Sequence, residues 1–197
     1  MTMTWTTANH SSMFHYFNAG KADDLLNLAQ LRPDLDDFLQ HVYGSSYRGI
    51  EHLFKRIYTR KSHVWIAQAP NEPITGLTYV RPSGKRDGTC VRDSHRRSGL
   101  AQQLLRASLR LLPNQFSVVF HSNTPIIRLY QTNGFRFATT VNQVSTLLDS
   151  IEFEDTRNHR VVNDALEFDR INRHISQMEY DFVCMLNYAP TDNTGEF

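Results

Sequence analysis

The sequence predicts an α/β fold, and three observations carry that prediction. Short runs rich in aromatic and β-branched residues, the composition of strands, lie between segments whose apolar residues recur at three- and four-residue steps, the mark of amphipathic helices. Gly, Pro, Asn and Ser gather where one kind of segment gives way to the other. The resulting order is β, helices, β-β-β, α, β, α, β, then an extra segment and a last strand. The 197 residues suit one domain with a real core, or one domain plus a large insertion.

Met1 to Ser12 is Thr- and Ser-rich, lacks the apolar stretch of a signal peptide, and reads as a flexible lead-in. Met13 to Asn18 (MFHYFN) is the first strand, ended by Ala19-Gly20. Ala22 to Leu31 puts Leu25, Leu28 and Ala29 on one side and Asp23 and Asp24 in its first turn. Acids there suit a helix dipole, and Pro33 stops the helix. Asp34 to Val42 and Ile50 to Tyr58 are short amphipathic helices around Gly44 and Gly49. Val64 to Gln68 and Ile74 to Val80 are strands joined by the turn at Pro70-Asn71-Glu72-Pro73. Pro82-Ser83-Gly84-Lys85 turns the chain again, placing Asp87 in a turn before a short strand at Thr89 to Val91. A helix from Gly99, a strand at Phe116 to Phe120, a helix at Pro125 to Thr132 and a strand at Phe135 to Val144 follow.

Residues 146–178 read as a helical insertion, because Val161, Ala165, Phe168, Ile171, Ile175 and Met178 keep helical steps. Seven acids stand there against four arginines, a balance that would favour a cationic acceptor; a homodimer packed through the same apolar face is the competing reading. Tyr180 to Tyr188 (YDFVCMLNY) closes the domain, which spans 13–189, and 190–197 is a tail.

Composition excludes several classes. A formal net charge of +1 argues against a broad nucleic-acid binder, which carries a basic excess. No stretch approaches the roughly 18 apolar residues of a membrane span. Cys90 and Cys184 lie far apart with no CxxC pair, so they read as free thiols in a reducing cytoplasm, and no metal site is expected.

The most informative segment is Val91-Arg92-Asp93-Ser94-His95-Arg96-Arg97-Ser98-Gly99-Leu100-Ala101. A strand ends, polar residues turn the chain, and an amphipathic helix begins at Gly99. The unpaired N–H groups of a first helical turn and the helix dipole favour an anion, and a glycine there lets a phosphate approach the backbone. Residues 81–106 hold seven bases against Asp87 and Asp93, a charge suited to a ligand with several phosphates or to a merely solvated basic loop. Neither GxxxxGK[ST] nor GxGxxG is present.

Arg96-Arg97-Ser98-Gly99-Leu100-Ala101 resembles the coenzyme A loop of GNAT acetyltransferases, [RQ]-x-x-G-x-[GA], with Val91 as the strand-end valine; Asp93 departs from the family's frequent proline. Asn123-Thr124-Pro125 through Leu129-Tyr130 to Gly134-Phe135 resembles the family's second signature, and Asn123 with Pro125 also suits a helix start. The resemblance implies a GNAT fold: a mixed, mostly antiparallel central sheet of about six to seven strands flanked by helices, with the insertion before the last strand. It implies acetyl-CoA as co-substrate, held by Val91, Asp93, Arg96, Arg97, Ser98, Gly99, Leu100, Ala101 and Asn123. A primary amine of a small molecule, protein or peptide would attack directly. Tyr130 matches the tyrosine that protonates the departing thiolate, or is a core ring under the cofactor. His121 is the side-chain candidate for a base, or a satisfied, partly buried histidine. The same fold also serves longer acyl groups, toxins that acetylate aminoacyl-tRNA, and non-catalytic acyl-CoA sensors, since function resides in the site.

Overall fold

The computed structural model describes residues 2–7, 10–120, 123–137, 160–162 and 181–187. Two compact units divide the chain, Met1–Pro113 and Asn114–Phe197.

In the first unit an antiparallel sheet runs β1 (Thr2–Thr7), β2 (His10–Asn18), β3 (His63–Gln68), β4 (Ile74–Val80) and β5 (Arg86–Val91), in that spatial order. The lead-in expected at 1–12 is corrected by β1, which pairs with β2 from Thr2↔His15 to Thr7↔His10. Its four threonines are β-branched, a composition that favours extended backbone over a loose lead-in. Between β2 and β3 lie α1 (Ala22–Gln30), α2 (Arg32–Tyr43) and α3 (Ile50–Thr59). Asp24, in the first turn of α1, accepts the Asn18 N–H at 3.0 Å and ties the helix to the strand before it. Pro33 does more than stop α1: it sits in the first turn of α2, where a missing N–H costs nothing.

Strand alternation sends the two sheet faces to different partners. Phe17, Val64, Ile66, Leu77 and Tyr79 pack against Leu28, Leu35, Phe38, Leu53 and Ile57 of α1 to α3. On the reverse face Phe14, Trp65, Ala67, Val80 and Val91 meet Leu100 and Leu104 of α4 (Leu100–Leu111). Covered on both sides, β4 is buried along its whole length. Gly76 allows this, since a Cβ there would stand 2.9 Å from a Leu104 methyl.

In the second unit β9 (Asp181–Leu186) pairs antiparallel with β6 (Phe116–Phe120) and with β7 (Arg136–Phe137), and parallel with β8 (Arg160–Val162). α5 (Thr124–Gln131) links β6 to β7. At Arg160–Val162 the helical reading of the insertion is corrected: two adjacent valines favour a strand, and the ladder with β9 decides it. The rest of 146–178 and strand residues beyond Phe137 lie outside the described residues. The mixed, mostly antiparallel α/β arrangement is thus present, in sheets of five and four strands among the described residues.

Candidate functional site

β5 ends at Val91, and the Arg92 N–H donates to Thr75 O at 2.8 Å, holding the strand end against β4. A 3-10 turn at Asp93–His95 follows, and Ser98 Oγ donates to the His95 carbonyl at 2.7 Å, closing the loop on itself. Gly99 caps α4 with φ 83° and ψ 0°, a left-handed conformation glycine adopts without penalty. Apart from Gly99 itself and its two chain neighbours, no atom lies within 4 Å of the point where its Cβ would stand. The Gln103 N–H bonds Gly99 O, so the N–H groups of the first turn before it have no partner within the helix. An open, positively polarised helix start beside an absent side chain is a place for an oxyanion.

The seven bases of residues 81–106 do not form a basic surface. Arg81, Lys85 and Arg86 are buried. Arg81 forks onto Asp87 at 2.7 and 3.1 Å, while Arg60 and Lys85 approach the same carboxylate at 3.3 and 3.5 Å. Arg86 crosses to Thr78, to Thr89 at 3.1 Å and to Ser108 of α4. Arg92 reaches Asp37 at 2.8 Å and lies over the Phe38 ring. Arg96 pairs with Asp93 at 2.7 Å, but both are well exposed and such a pair opens at little cost. Arg97, exposed at φ 63°, has no ion pair among the described residues.

Asp87 lies in β5, correcting the turn expected for it, and its carboxylate is 1% exposed. Burial alone would raise its pKa; the hydrogen bonds from Arg81 and the charges of Arg81, Lys85 and Arg60 outweigh that and hold it below the usual range. A carboxylate so held is a poor proton acceptor at neutral pH. Burial, partly offset by Asp87, brings the Lys85 ammonium down to about 8.

In the second unit Asn123 caps α5, its side chain accepting the Ile126 N–H at 3.4 Å, with Pro125 in the first turn. Tyr130 is 2% exposed, stacks on Phe135 with ring centroids 4.9 Å apart, and donates to Ser117 Oγ at 3.4 Å. His121 lies outside the described residues.

A pocket of about 370 Å³ opens on the α2–α3 face of the first unit, and sequence reading missed it. Gly44 (φ 52°) and Gly49 (φ 90°) break the chain between the helices, and Tyr47 and Arg48 between them line the pocket beside Tyr43. His52 and Arg56, one turn apart on α3, supply another wall, and Tyr79 and Asp87 line it from the sheet. The His52/Arg56 spacing was the available signal. Burial pushes the Tyr79 hydroxyl up to about 12 and the Cys90 thiol to about 12; Cys90 is hydrogen-bonded to Tyr43. Among the described residues no cluster of His, Cys, Asp or Glu could hold a metal ion, and no helix is long and apolar enough to cross a membrane.

Residues 60–137 match the acetyltransferase (GNAT) domain model. The fold is similar to that of the ribosomal-protein-S18-alanine N-acetyltransferase from Escherichia coli, with a TM-score of 0.57 at 14% identity over 94% of this chain and 99% of that one. It is also similar to a GNAT-family acetyltransferase from Staphylococcus aureus Mu50, with a TM-score of 0.50 at 11% identity over 72% and 92%. No curated protein matches the sequence.

Proposed function

We propose that this chain, whose residues 60–137 match the GNAT acetyltransferase domain model, transfers an acetyl group from acetyl-CoA to a primary amine. The observation that carries this reading is the start of α4, an open left-handed Gly99 ahead of first-turn N–H groups that have no partner within the helix, inside the matched segment. The Gly99, Leu100 and Ala101 amides hold the pyrophosphate, with Arg96 and Arg97 turning onto it and Ser98 and Asp93 setting the loop. Among the described residues β5 is the last strand of its sheet, so its edge at Val91 can hydrogen-bond the pantetheine arm as an added strand.

Bound acetyl-CoA supplies an activated thioester, whose carbon–sulfur bond breaks as the carbon–nitrogen bond forms. Tyr130 delivers its hydroxyl proton to the departing sulfur, and Asn123 orients the start of its helix. Asp87 does not take the amine's proton, because three cations already claim it. His121, or water, does so. Acetyl-CoA should raise the melting temperature, and Gly99→Glu should abolish the rise by placing a carboxylate where the phosphate binds. Free-thiol release across polyamines, aminoglycosides, amino acids and peptides should then identify the acceptor. Stabilisation by CoA with no amine turned over would instead favour an acyl-CoA sensor.

A further inference from the structure

The α2–α3 pocket is lined by cations that nothing in the described part of the chain neutralises. The carboxylate on its wall, Asp87, already faces Arg60, Arg81 and Lys85, so it has no charge to spare. Arg48 and Arg56, by contrast, have no ion pair among the described residues, and the buried Nε of Arg56 has no hydrogen-bond partner. Arg56 lines the pocket together with Tyr43 and Tyr79. Burial pushes the Tyr79 hydroxyl up to about 12, so in neutral solution that phenol stays an O–H group on the pocket wall. Leu39, Leu53 and Leu77 supply apolar wall. At about 370 Å³ the pocket is of small-molecule size.

We infer that this pocket takes the carboxylate end of the acceptor, so that the amine acetylated belongs to a small amino acid with an apolar or aromatic body. The inference rests on the acetyl-transfer reading and narrows its acceptor class. Guanidinium and carboxylate match as planar forks, which makes Arg56 the specific partner and Arg48, more exposed, the entry charge. The transfer is balanced as before: the amine nitrogen bonds the acetyl carbon, the carbon–sulfur bond breaks, and the surplus amine proton ends on sulfur. The carboxylate takes no part in the chemistry. It anchors the amine's other end.

The test pairs phenylalanine, leucine and tyrosine with their carboxamides, titrated calorimetrically into the full chain and also offered as acceptors in thiol release. At least one acid should bind about tenfold or more tightly than its amide, in the range of a charge-assisted pair. Arg56→Gln should erase that preference, and Arg56→Lys should keep part of it. Arg48→Gln should weaken acid binding more than amide binding and so lower the preference without erasing it, a second reading should Arg56→Gln fold poorly. Equal binding of acid and amide, no binding of any acid, or a preference that survives Arg56→Gln overturns the inference. Thiol release that is equal for acid and amide also overturns it while leaving acetyl transfer standing. Acid-selective binding without thiol release keeps the carboxylate site and removes the acetyl-transfer reading.

Discussion

At the scale of single residues, Asp87 shows how position changes role. Local sequence placed it in a turn; in β5 it is a buried hub for Arg60, Arg81 and Lys85. Removing one member of a buried ion cluster strands the others, so Asp87→Asn should cost about 3–5 kcal/mol in urea unfolding near neutral pH. Its folded pKa is depressed, so its stabilising contribution is complete above the unfolded value of about 3.9. That contribution drains away as pH falls from there through the folded value. Asp87→Asn should therefore flatten the loss of stability as pH falls below about 4. An equally steep acid loss in the variant would mean that other carboxylates carry it. Tyr130 is a second case. Its burial and stacking on Phe135 satisfy the packing role, and the proposed proton transfer asks for more. Tyr130→Phe keeps the ring and removes the hydroxyl, so turnover should fall roughly tenfold to a thousandfold with acetyl-CoA affinity nearly unchanged. Unchanged turnover, with chemistry rate-limiting, returns the residue to packing alone.

At the scale of elements, β4 and β5 are joined as much by a missing side chain as by their ladder. Tyr79 pairs with Gly88, and a Cβ on Gly88 would stand 2.7 Å from the Tyr79 ring. A buried ring cannot swing aside as a flexible methyl can. Gly88→Ala should thus cost about 1–3 kcal/mol, with much of it recovered when Tyr79→Leu is added. Simple additivity of the two in chemical unfolding would place the strain elsewhere. Such cross-strand relations are what the sequence could not disclose. β4, α3, α4 and the capped start of α5 were legible because each is written in its own neighbours: β4 as a run rich in β-branched residues, helix faces as period, Asn123-Thr124-Pro125 as a cap. The Gly99 turn was legible for the same reason, a glycine at the start of an apolar period. β1 was missed because a polar, Thr-rich run resembles a loop until its partner strand is in view. The pocket was missed because Tyr43, Arg56 and Tyr79 come from three elements.

At the scale of the whole chain, a net charge of +1 hides where the charges are. A count along residues 81–106 suggests a basic surface waiting for phosphates. The fold instead spends Arg81 and Lys85 on Asp87, Arg92 on Asp37, and Arg86 on three hydroxyls. Among the described residues of that stretch, Arg97 and the loosely paired Arg96 are the cations at the loop best placed to turn to a ligand. Phosphate binding must then rest mainly on backbone N–H groups and the dipole of α4, which act at contact distance and are screened less than exposed charges. CoA affinity should consequently fall by less than about tenfold between about 50 mM and 500 mM salt. Arg97→Gln should remove most of the fall that does occur. The same scarcity bears on nucleic acid, whose binding depends on many simultaneous cation–phosphate contacts and drops steeply with salt. Transfer RNA should therefore bind weakly at about 0.15 M salt, and Gly99→Glu should not alter that residual binding. A steep salt dependence for CoA, undiminished by Arg97→Gln, would mean that Arg92 leaves Asp37 to meet the phosphates. In that event Asp37→Asn, which frees Arg92 in advance, should tighten CoA binding, and its failure to do so would exclude that exchange.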